Sequence, residues 1–231
     1  MILFQLNDKV IKMNAKSQTF EFTAELCQVE EVVCSFLHTL LFHRSTGKFH
    51  YQKEGSYTVG TLGYEDVDCH FIDCSYVRCS SEKLNKTVLS YAKQFKDALK
   101  NMDSHRSGQI SLEFFQKRKN PWPFPTESVP WEMWVLKFNI VSVVNDVERV
   151  ALREKLTEAV CEEIKVICEI INKPDYIPKM PNEPDLTNVF DNQYPDVQPY
   201  LHKFYIQTSE HASDTSVGNT MRRLIKDTFN Y

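Results

Sequence analysis

Apolar residues recur at every third or fourth position in three stretches of the chain. Such spacing places them along one face of a helix. The stretches are Ala24–His43, a segment from the N-cap pair Ser80-Ser81 to about Lys100, and a segment from an N-cap at Asn145 or Asp146 to about Asn172. Polar residues fill the positions between, so the pattern predicts three amphipathic helices that each turn one face towards a core.

Strand patterns occupy the chain between and after these helices. Val67–Arg78 is rich in β-branched and aromatic residues, which favours one strand. From Ile110 apolar and polar residues alternate, which predicts a strand with one buried face, and a second strand-like run covers Trp131–Val144. We expect these two strands to form a hairpin with an insertion, and Tyr200–Thr208 to add another strand. Because helices and strands do not alternate regularly, the order predicts an α+β fold.

The two ends of the chain and the section after the third helix depart from these patterns. Residues 1–16 mix apolar and polar types without a period, so we expect a loosely ordered lead before a single domain over residues 17–231. Six prolines from Pro174 to Pro199 predict a long loop, because proline ends helices and cannot donate to a sheet. Apolar residues at helical spacing from Val217 to Phe229 predict a short C-terminal helix.

The composition is that of a globular chain with one sizeable core. Apolar residues make up 42% and charged residues 25% of the 231 positions, and a chain of this length buries enough surface to fold without disulfides or metals. The formal net charge of −4 argues against a protein that binds nucleic acid. No apolar run approaches a membrane span and the first residues show no secretory pattern, so we expect a cytoplasmic protein with reduced cysteines.

The cysteines predict no metal site, and the chain shows no cofactor motif. No Cys-x-x-Cys pair is present, and Cys69, Cys74 and Cys79 lie five apart on the expected strand, so their thiols should face alternate sides. Two further pairs lie seven apart on expected helices, where we interpret them as small buried apolar residues: Cys27 with Cys34, and Cys161 with Cys168. Nucleotide-binding and catalytic motifs are also missing, so we expect no cofactor and no enzyme activity.

The insertion in the expected hairpin is the most informative segment. Asn120-Pro121-Trp122-Pro123-Phe124-Pro125 places proline at every second position, which predicts an extended and stiff segment. We call Pro121–Pro125 the finger. Its two rings either fold back as a lid over the core or project as an anchor for a partner. The polar flanks, the stiffness and the small entropy loss on docking favour a partner-binding anchor formed by Trp122, Pro123 and Phe124.

A second candidate surface lies near the C-terminus. Arg222, Arg223 and Lys226 place three basic residues within five positions. Such a cluster fits an acidic partner or an anionic membrane, but a solvated face of the expected C-terminal helix is the more ordinary interpretation. We therefore treat it as a secondary partner surface.

Several strings, taken in order and with their spacing, resemble the autophagy-related protein 101 family. The similarity extends from about Thr19 to the C-terminus. It rests on His43–Tyr51, Asp66–Cys69, Phe71–Asp73, Tyr76–Arg78, Trp122–Phe124, Pro178–Pro181, Asp196–Leu201 and Thr220–Thr228. The resemblance implies the HORMA fold, in which a mainly antiparallel sheet is packed by three helices, with a proline-rich C-terminal section.

The resemblance also implies a function. Members of the family are non-enzymatic scaffolds that pair with the HORMA domain of autophagy-related protein 13, stabilise it and act in the kinase complex that starts autophagosome formation. The exposed finger of the family, matched here by Trp122, Pro123 and Phe124, recruits downstream factors. A cytoplasmic protein that is recruited to autophagosome formation sites is therefore implied.

Two other functions stay open on the sequence. A HORMA adaptor of another kind would capture partner peptides with its C-terminal section, and an enzyme could assemble a dispersed site over the proline-rich region. A projecting finger favours the autophagy scaffold over peptide capture, because peptide capture alone gives no reason for such a tip.

Overall fold

Three α-helices and twelve β-strands form the described part of the chain. The structure, a computed structural model, describes the backbone of residues 2–6 and 9–13 and describes residues 16–52, 56–102, 106–172 and 177–208 with their side chains. The helices are α1 (Val29–His43), α2 (Glu82–Lys100) and α3 (Asp146–Ile171), and a 3₁₀ helix covers Glu183–Asn188. The strands are β1 (Ile2–Leu6), β2 (Lys9–Met13), β3 (Lys16–Ala24), β4 (Ser45–Thr46), β5 (Phe49–Tyr51), β6 (Tyr57–Val59), β7 (Tyr64–Asp68), β8 (Ser75–Cys79), β9 (Ser107–Arg118), β10 (Glu127–Ile140), β11 (Gln198–Pro199) and β12 (His202–Thr208).

Four strands form the central sheet, in the order β12–β9–β10–β3. The pairs β12–β9 and β9–β10 are antiparallel, whereas β3 runs parallel to β10. The remaining strands pair as two-stranded antiparallel sheets, among them the hairpins β5–β6 and β7–β8. The protein is therefore an α+β fold with a mainly antiparallel sheet, and the predicted hairpin of β9 with β10 is confirmed.

Helix α1 runs through the centre of the core, and eleven of its 15 residues are buried. Its Phe36 ring lies 5.4 Å from Phe20 and 5.2 Å from Phe22 of β3, measured between ring centroids. Helix α2 adds Phe95, whose ring lies 5.5 Å from that of Phe138 in β10. Buried residues of α3 belong to the same cluster, so the three helices and the sheet share one core.

Two helix starts agree with the caps expected from the sequence. The Ser81 hydroxyl accepts a hydrogen bond from the backbone N–H of Leu84 at 3.4 Å, and the Asn145 side chain accepts one from Val147 at 2.9 Å. Each side chain satisfies an amide that the first helical turn leaves without a partner. The predictions of α2 and α3 are confirmed.

The first helix begins later than the apolar spacing predicts. Ala24 is the last residue of β3, and the helix starts only at Val29. In β3 the side chains of Phe20, Phe22 and Ala24 are buried, whereas the residues between them are exposed. This alternation is that of a strand, but β3 is stabilised by pairing with the distant β10, a partner that local spacing does not reveal.

Val67–Arg78 forms a hairpin, and the prediction of one continuous strand is wrong. Strands β7 and β8 are antiparallel, and the turn is closed by a 3.0 Å hydrogen bond from the Cys69 N–H to the Cys74 carbonyl. The carboxylate of Glu31 in α1 accepts hydrogen bonds at 2.7–3.1 Å from three backbone N–H groups of the turn, those of His70, Phe71 and Ile72. The Glu31 carboxylate thus accepts hydrogen bonds from turn amides that have no partner in the β-sheet.

Strand β9 is buried on both faces, although its alternation predicts one buried face. Ser111 and Glu113 are buried together with their apolar neighbours. The strand lies between β10 and β12, and side chains of β12 cover its second face: the Tyr205 hydroxyl donates to the Glu113 carboxylate at 3.2 Å. Burial raises the pKa of Glu113, although Lys203 and Tyr205 oppose that shift.

The section after α3 is mostly loop, as its prolines predict. It contains the 3₁₀ helix and the short β11, and it ends in β12, which confirms the strand expected near Tyr200–Thr208. At the other end of the chain, the backbones of β1 and β2 pair in antiparallel fashion. The division into a lead and a single domain stays a prediction, and the predicted helix at Val217–Phe229 lies outside the described residues.

Candidate functional site

The finger lies at the tip of the β9–β10 hairpin with both of its rings in solvent. The Trp122 side chain is 94% exposed and that of Phe124 is 68% exposed. Rings that folded back over the core would be buried, so the lid interpretation is wrong. Exposed large apolar residues at the end of a hairpin are a candidate anchor for a partner.

Hydrogen bonds within the finger close it into a compact turn. The Phe124 backbone N–H donates to the Pro121 carbonyl at 3.0 Å, and the Asn120 side-chain amide donates to the Pro125 carbonyl at 2.9 Å. The peptide bond between Trp122 and Pro123 is cis. The proline spacing predicts an extended segment; the turn forms instead because Asn120 and Phe124 still have donors and find acceptors inside the finger.

Lys119 connects the base of the finger to the proline-rich section. Its ammonium nitrogen lies 2.7 Å from Oδ1 of Asp185 in the 3₁₀ helix, and the side-chain amide of Asn188 donates to the same oxygen at 2.9 Å. Lys119 lowers the pKa of the Asp185 carboxyl. Both partners are exposed, so the pair adds little to stability.

The hairpin beneath the finger is fixed by a buried polar network. The Arg44 guanidinium, at the end of α1, donates to the Glu132 carboxylate at 2.7 Å and to the Ile171 carbonyl at 3.0 Å. It also lies 5.5 Å from the centroid of the Trp131 ring. The indole N–H of Trp134 donates to the same carboxylate. The network joins α1, β10 and the end of α3, so the finger stands on a rigid base.

A second exposed apolar surface lies at the start of α3. Val144, Val147 and Val150 are 95%, 76% and 56% exposed. Val147 and Val150 lie three apart in the first turns of α3 and so share one side of the helix, and Val144 lies two residues before the helix begins. We call these three residues the valine surface. Sequence reasoning missed it, although the signal was present as valines that lie outside the apolar stripe of the predicted helix.

The finger and the valine surface lie at opposite ends of β10. The finger precedes Glu127, the first residue of the strand, and Val144 follows Ile140, the last. At about 3.3 Å per residue a strand of this length spans roughly 40 Å. One partner domain of ordinary size can therefore occupy either surface without covering the other.

The cysteines are placed differently from the sequence interpretation. Cys34 is buried as expected, whereas Cys27 and Cys168 are exposed. The prediction that both members of the pairs Cys27–Cys34 and Cys161–Cys168 are buried is therefore wrong for one member of each pair. In the described part of the chain, no group of three or more His, Cys, Asp or Glu could hold a metal ion. The basic cluster of Arg222, Arg223 and Lys226 lies outside the described residues.

A cavity of about 250 Å³ lies in the proline-rich region, where a dispersed enzyme site is one alternative. It is lined by Tyr51, Gln52, Tyr57, Met180, Pro181, Asn182, Glu183 and Pro184. The Tyr51 hydroxyl donates to the Pro181 carbonyl at 3.1 Å, and burial raises its pKa. The Tyr51 hydroxyl therefore pairs with a backbone carbonyl and not with a side-chain base that would activate it. Separately, none of the described helices is long and apolar enough to cross a membrane.

Comparison with known proteins gives consistent matches. A family model described as Autophagy-related protein 101 matches residues 21–184. Proteins named Autophagy-related protein 101 from Xenopus tropicalis and Homo sapiens are each 51% identical to the chain over 216 residues, which is 94% of this chain and 99% of each relative. The protein of that name from Arabidopsis thaliana is 25% identical over 126 residues, 54% of this chain and 52% of the relative.

The matched region includes the β9–β10 hairpin, the finger and the valine surface. The family model covers more than half of the chain, and the two vertebrate relatives cover nearly all of it. The chain therefore belongs to the autophagy-related protein 101 family.

Proposed function

We propose that the protein is a non-enzymatic scaffold of autophagy initiation. Membership of the autophagy-related protein 101 family supports a role in autophagy. The mainly antiparallel sheet packed by helices agrees with the HORMA fold that the resemblance implies. In this proposal residues 17–231 form one HORMA-like domain after a lead over residues 1–16. The protein acts without a cofactor in the cytoplasm and is recruited to sites of autophagosome formation.

The finger is the observation that carries the proposal. Two large rings stand in solvent on a turn that proline and two hydrogen bonds hold in shape. A pre-organised aromatic anchor loses little conformational entropy when it docks, and buried aromatic anchors supply much of the energy at interfaces. In this proposal Trp122, Pro123 and Phe124 recruit downstream autophagy factors.

The stable partner of the domain is the HORMA domain of autophagy-related protein 13, within the kinase complex that starts autophagosome formation. We assign this contact to the valine surface, because three exposed valines at and just before the start of a helix match the apolar core of a lasting interface. Its distance from the finger supports a division of roles, in which one surface assembles the complex and the other recruits.

Two pairs of variants test this division of roles. Trp122→Ala with Phe124→Ala removes the finger rings, and Tyr64→Ala is the matched control because Tyr64 is a 65% exposed aromatic residue elsewhere. Val147→Glu with Val150→Glu disrupts the valine surface, and Val59→Glu, at a 45% exposed valine of β6, is its control. Affinity for the HORMA domain of autophagy-related protein 13 is measured with purified proteins, and autophagic turnover is measured in cells that lack the endogenous protein.

We expect the finger variant to keep its affinity for the HORMA partner and to lose autophagic turnover. The valine variant should lose affinity by tenfold or more, since two charges would be buried without partners. Normal turnover with the finger variant would contradict the recruiting role. Unchanged affinity of the valine variant would contradict the assigned surface. Turnover that depends on residues 209–231 and not on the rings would favour the peptide-capturing adaptor.

A further inference from the structure

Two thiols from distant parts of the chain lie next to each other. The sulfur of Cys74, which immediately precedes β8, is 3.7 Å from the sulfur of Cys161 in α3, and 87 positions separate the two residues in sequence. Both side chains are partly buried. The sequence places Cys69, Cys74 and Cys79 on alternate faces of one strand, and it does not bring Cys74 to α3.

Surrounding hydrogen bonds hold the two thiols in this position. The Asp73 backbone N–H donates to the Thr157 hydroxyl of α3 at 3.2 Å, one turn before Cys161. On the other side, Glu31 of α1 holds the backbone of Phe71 and Ile72. The turn is therefore attached to α1 and to α3, and the approach of the sulfurs does not depend on a freely moving segment.

We propose that Cys74 and Cys161 form a reversible disulfide by thiol–disulfide exchange with a small-molecule disulfide of the oxidised glutathione class. This makes the contact between the β7–β8 turn and α3 a site of redox modification. The reduced form is the state of the protein in a reducing cytosol, and the bond forms when the ratio of small disulfide to thiol rises.

The geometry allows the bond with a small adjustment. A disulfide places its sulfurs about 2.05 Å apart, so the two sulfurs must approach by about 1.7 Å. Rotation about the Cα–Cβ bonds of the two cysteines can bring their sulfurs over such a distance. The contacts of Asp73 with Thr157 can therefore persist in the oxidised protein.

The exchange takes place in two balanced steps. Burial and the neighbouring Cys161 thiol raise the pKa of Cys74 to about 12, so Cys74 is a poor first nucleophile at neutral pH. Cys161 as thiolate attacks one sulfur of the small disulfide, which breaks its S–S bond, forms a mixed disulfide and releases one small thiol. Cys74 then loses its proton and attacks the Cys161 sulfur, which forms the protein disulfide and releases the second small thiol.

The protein is tested in a form that lacks the two exposed thiols, with Cys27→Ser and Cys168→Ser. This background is incubated with oxidised glutathione, and peptide mapping by mass spectrometry identifies the cross-linked cysteines. We expect a Cys74–Cys161 linkage, a mass loss of about 2 Da for two hydrogens, and reversal by dithiothreitol. Because the bond constrains the unfolded chain, the melting temperature should rise by roughly 5–15 °C.

Matched variants in the same background separate this bond from the alternatives. Cys69 interacts electrostatically with both Cys74 and Cys161 and is the competing thiol, so Cys69→Ser should leave the linkage and the temperature shift in place. Cys161→Ser should abolish both, and circular dichroism shows whether this variant remains folded. A linkage between Cys69 and Cys161, glutathione adducts without an internal bond, or a cross-link that leaves the melting temperature unchanged would each overturn the proposal.

Discussion

Trp122 and Trp134 lie twelve positions apart on one hairpin, and their environments are opposite. Trp122 in the finger is 94% exposed, whereas Trp134 in β10 is 2% exposed. The ring of Trp134 stacks on that of Phe20 at 6.1 Å, and its N–H donates to Glu132. The difference comes from the neighbours: alternation and ladder pairing turn Trp134 inward, while prolines remove the finger from the sheet.

This contrast shows that apolar character alone does not decide burial. A tryptophan stabilises the fold only where strands and polar partners provide a site for it, and an identical side chain outside that site is available for binding. The two tryptophans therefore serve as references for each other. Substitution of Trp134 should lower the stability of the fold, whereas substitution of Trp122 should affect binding and leave stability nearly unchanged.

The largest effect is expected from Trp134→Ala. The substitution leaves a cavity among the rings of β3 and α1 and removes a hydrogen bond to the buried Glu132, so the free energy of unfolding should fall by about 4 kcal/mol. Urea denaturation followed by circular dichroism measures the change. Trp122→Ala is the control, and a comparable loss in that variant would remove the contrast between the two sites.

A slightly smaller loss is expected from Arg44→Met. The substitution removes the guanidinium partner of the buried Glu132 side chain, and breaking such a pair costs about 3 kcal/mol. The double variant Arg44→Met with Glu132→Gln should recover part of the loss, because no unpaired charge remains. Equal stability of the single and double variants in urea would show that packing, and not charge, dominates at the base of the hairpin.

The pH dependence of stability should change in Glu113→Gln. Because burial raises the folded-state pKa of Glu113 above its unfolded value, its contribution to stability is present at low pH and is lost as the pH rises through the folded-state pKa. The variant should therefore gain stability relative to the native chain over the pH range that starts at the unfolded-state pKa of a glutamate, about 4.3, and ends at the raised folded-state pKa of Glu113. Urea midpoints across this range measure the difference, and a constant difference would contradict it.

The smallest change in stability is expected from Trp122→Ala with Phe124→Ala. Exposed side chains outside special sites alter the free energy of unfolding by about 0.5 kcal/mol or less. In the native chain, acrylamide should quench one tryptophan population strongly, and this population should disappear in the variant, because Trp131 and Trp134 are buried. A drop in melting temperature of many degrees would instead place the finger rings in the core.

The sequence predicts those parts of the fold whose determinants are local. Helix α2 follows from its own stripe and the Ser81 cap, and the projection of the finger rings into solvent follows from the prolines and polar flanks, although the prolines predict an extended segment and not the turn that forms. Strand β3 and the turn between β7 and β8 depend on remote partners, namely β10 and Glu31. The valine surface was missed for a related reason, because helical spacing shows which residues share a face and not which face the rest of the protein covers.

The parallel pairing of β3 with β10 has a consequence for folding. Lys16 pairs with Glu132, so the first strand of the central sheet finds its neighbour only after more than half of the chain has been synthesised. The β9–β10 hairpin is local and closes at a much lower entropic cost, which makes it the earlier structure. Until it forms, Phe20 and Phe22 have no sheet to join, and we expect β3 to be the strand of the central sheet that is most exposed to aggregation in the nascent chain.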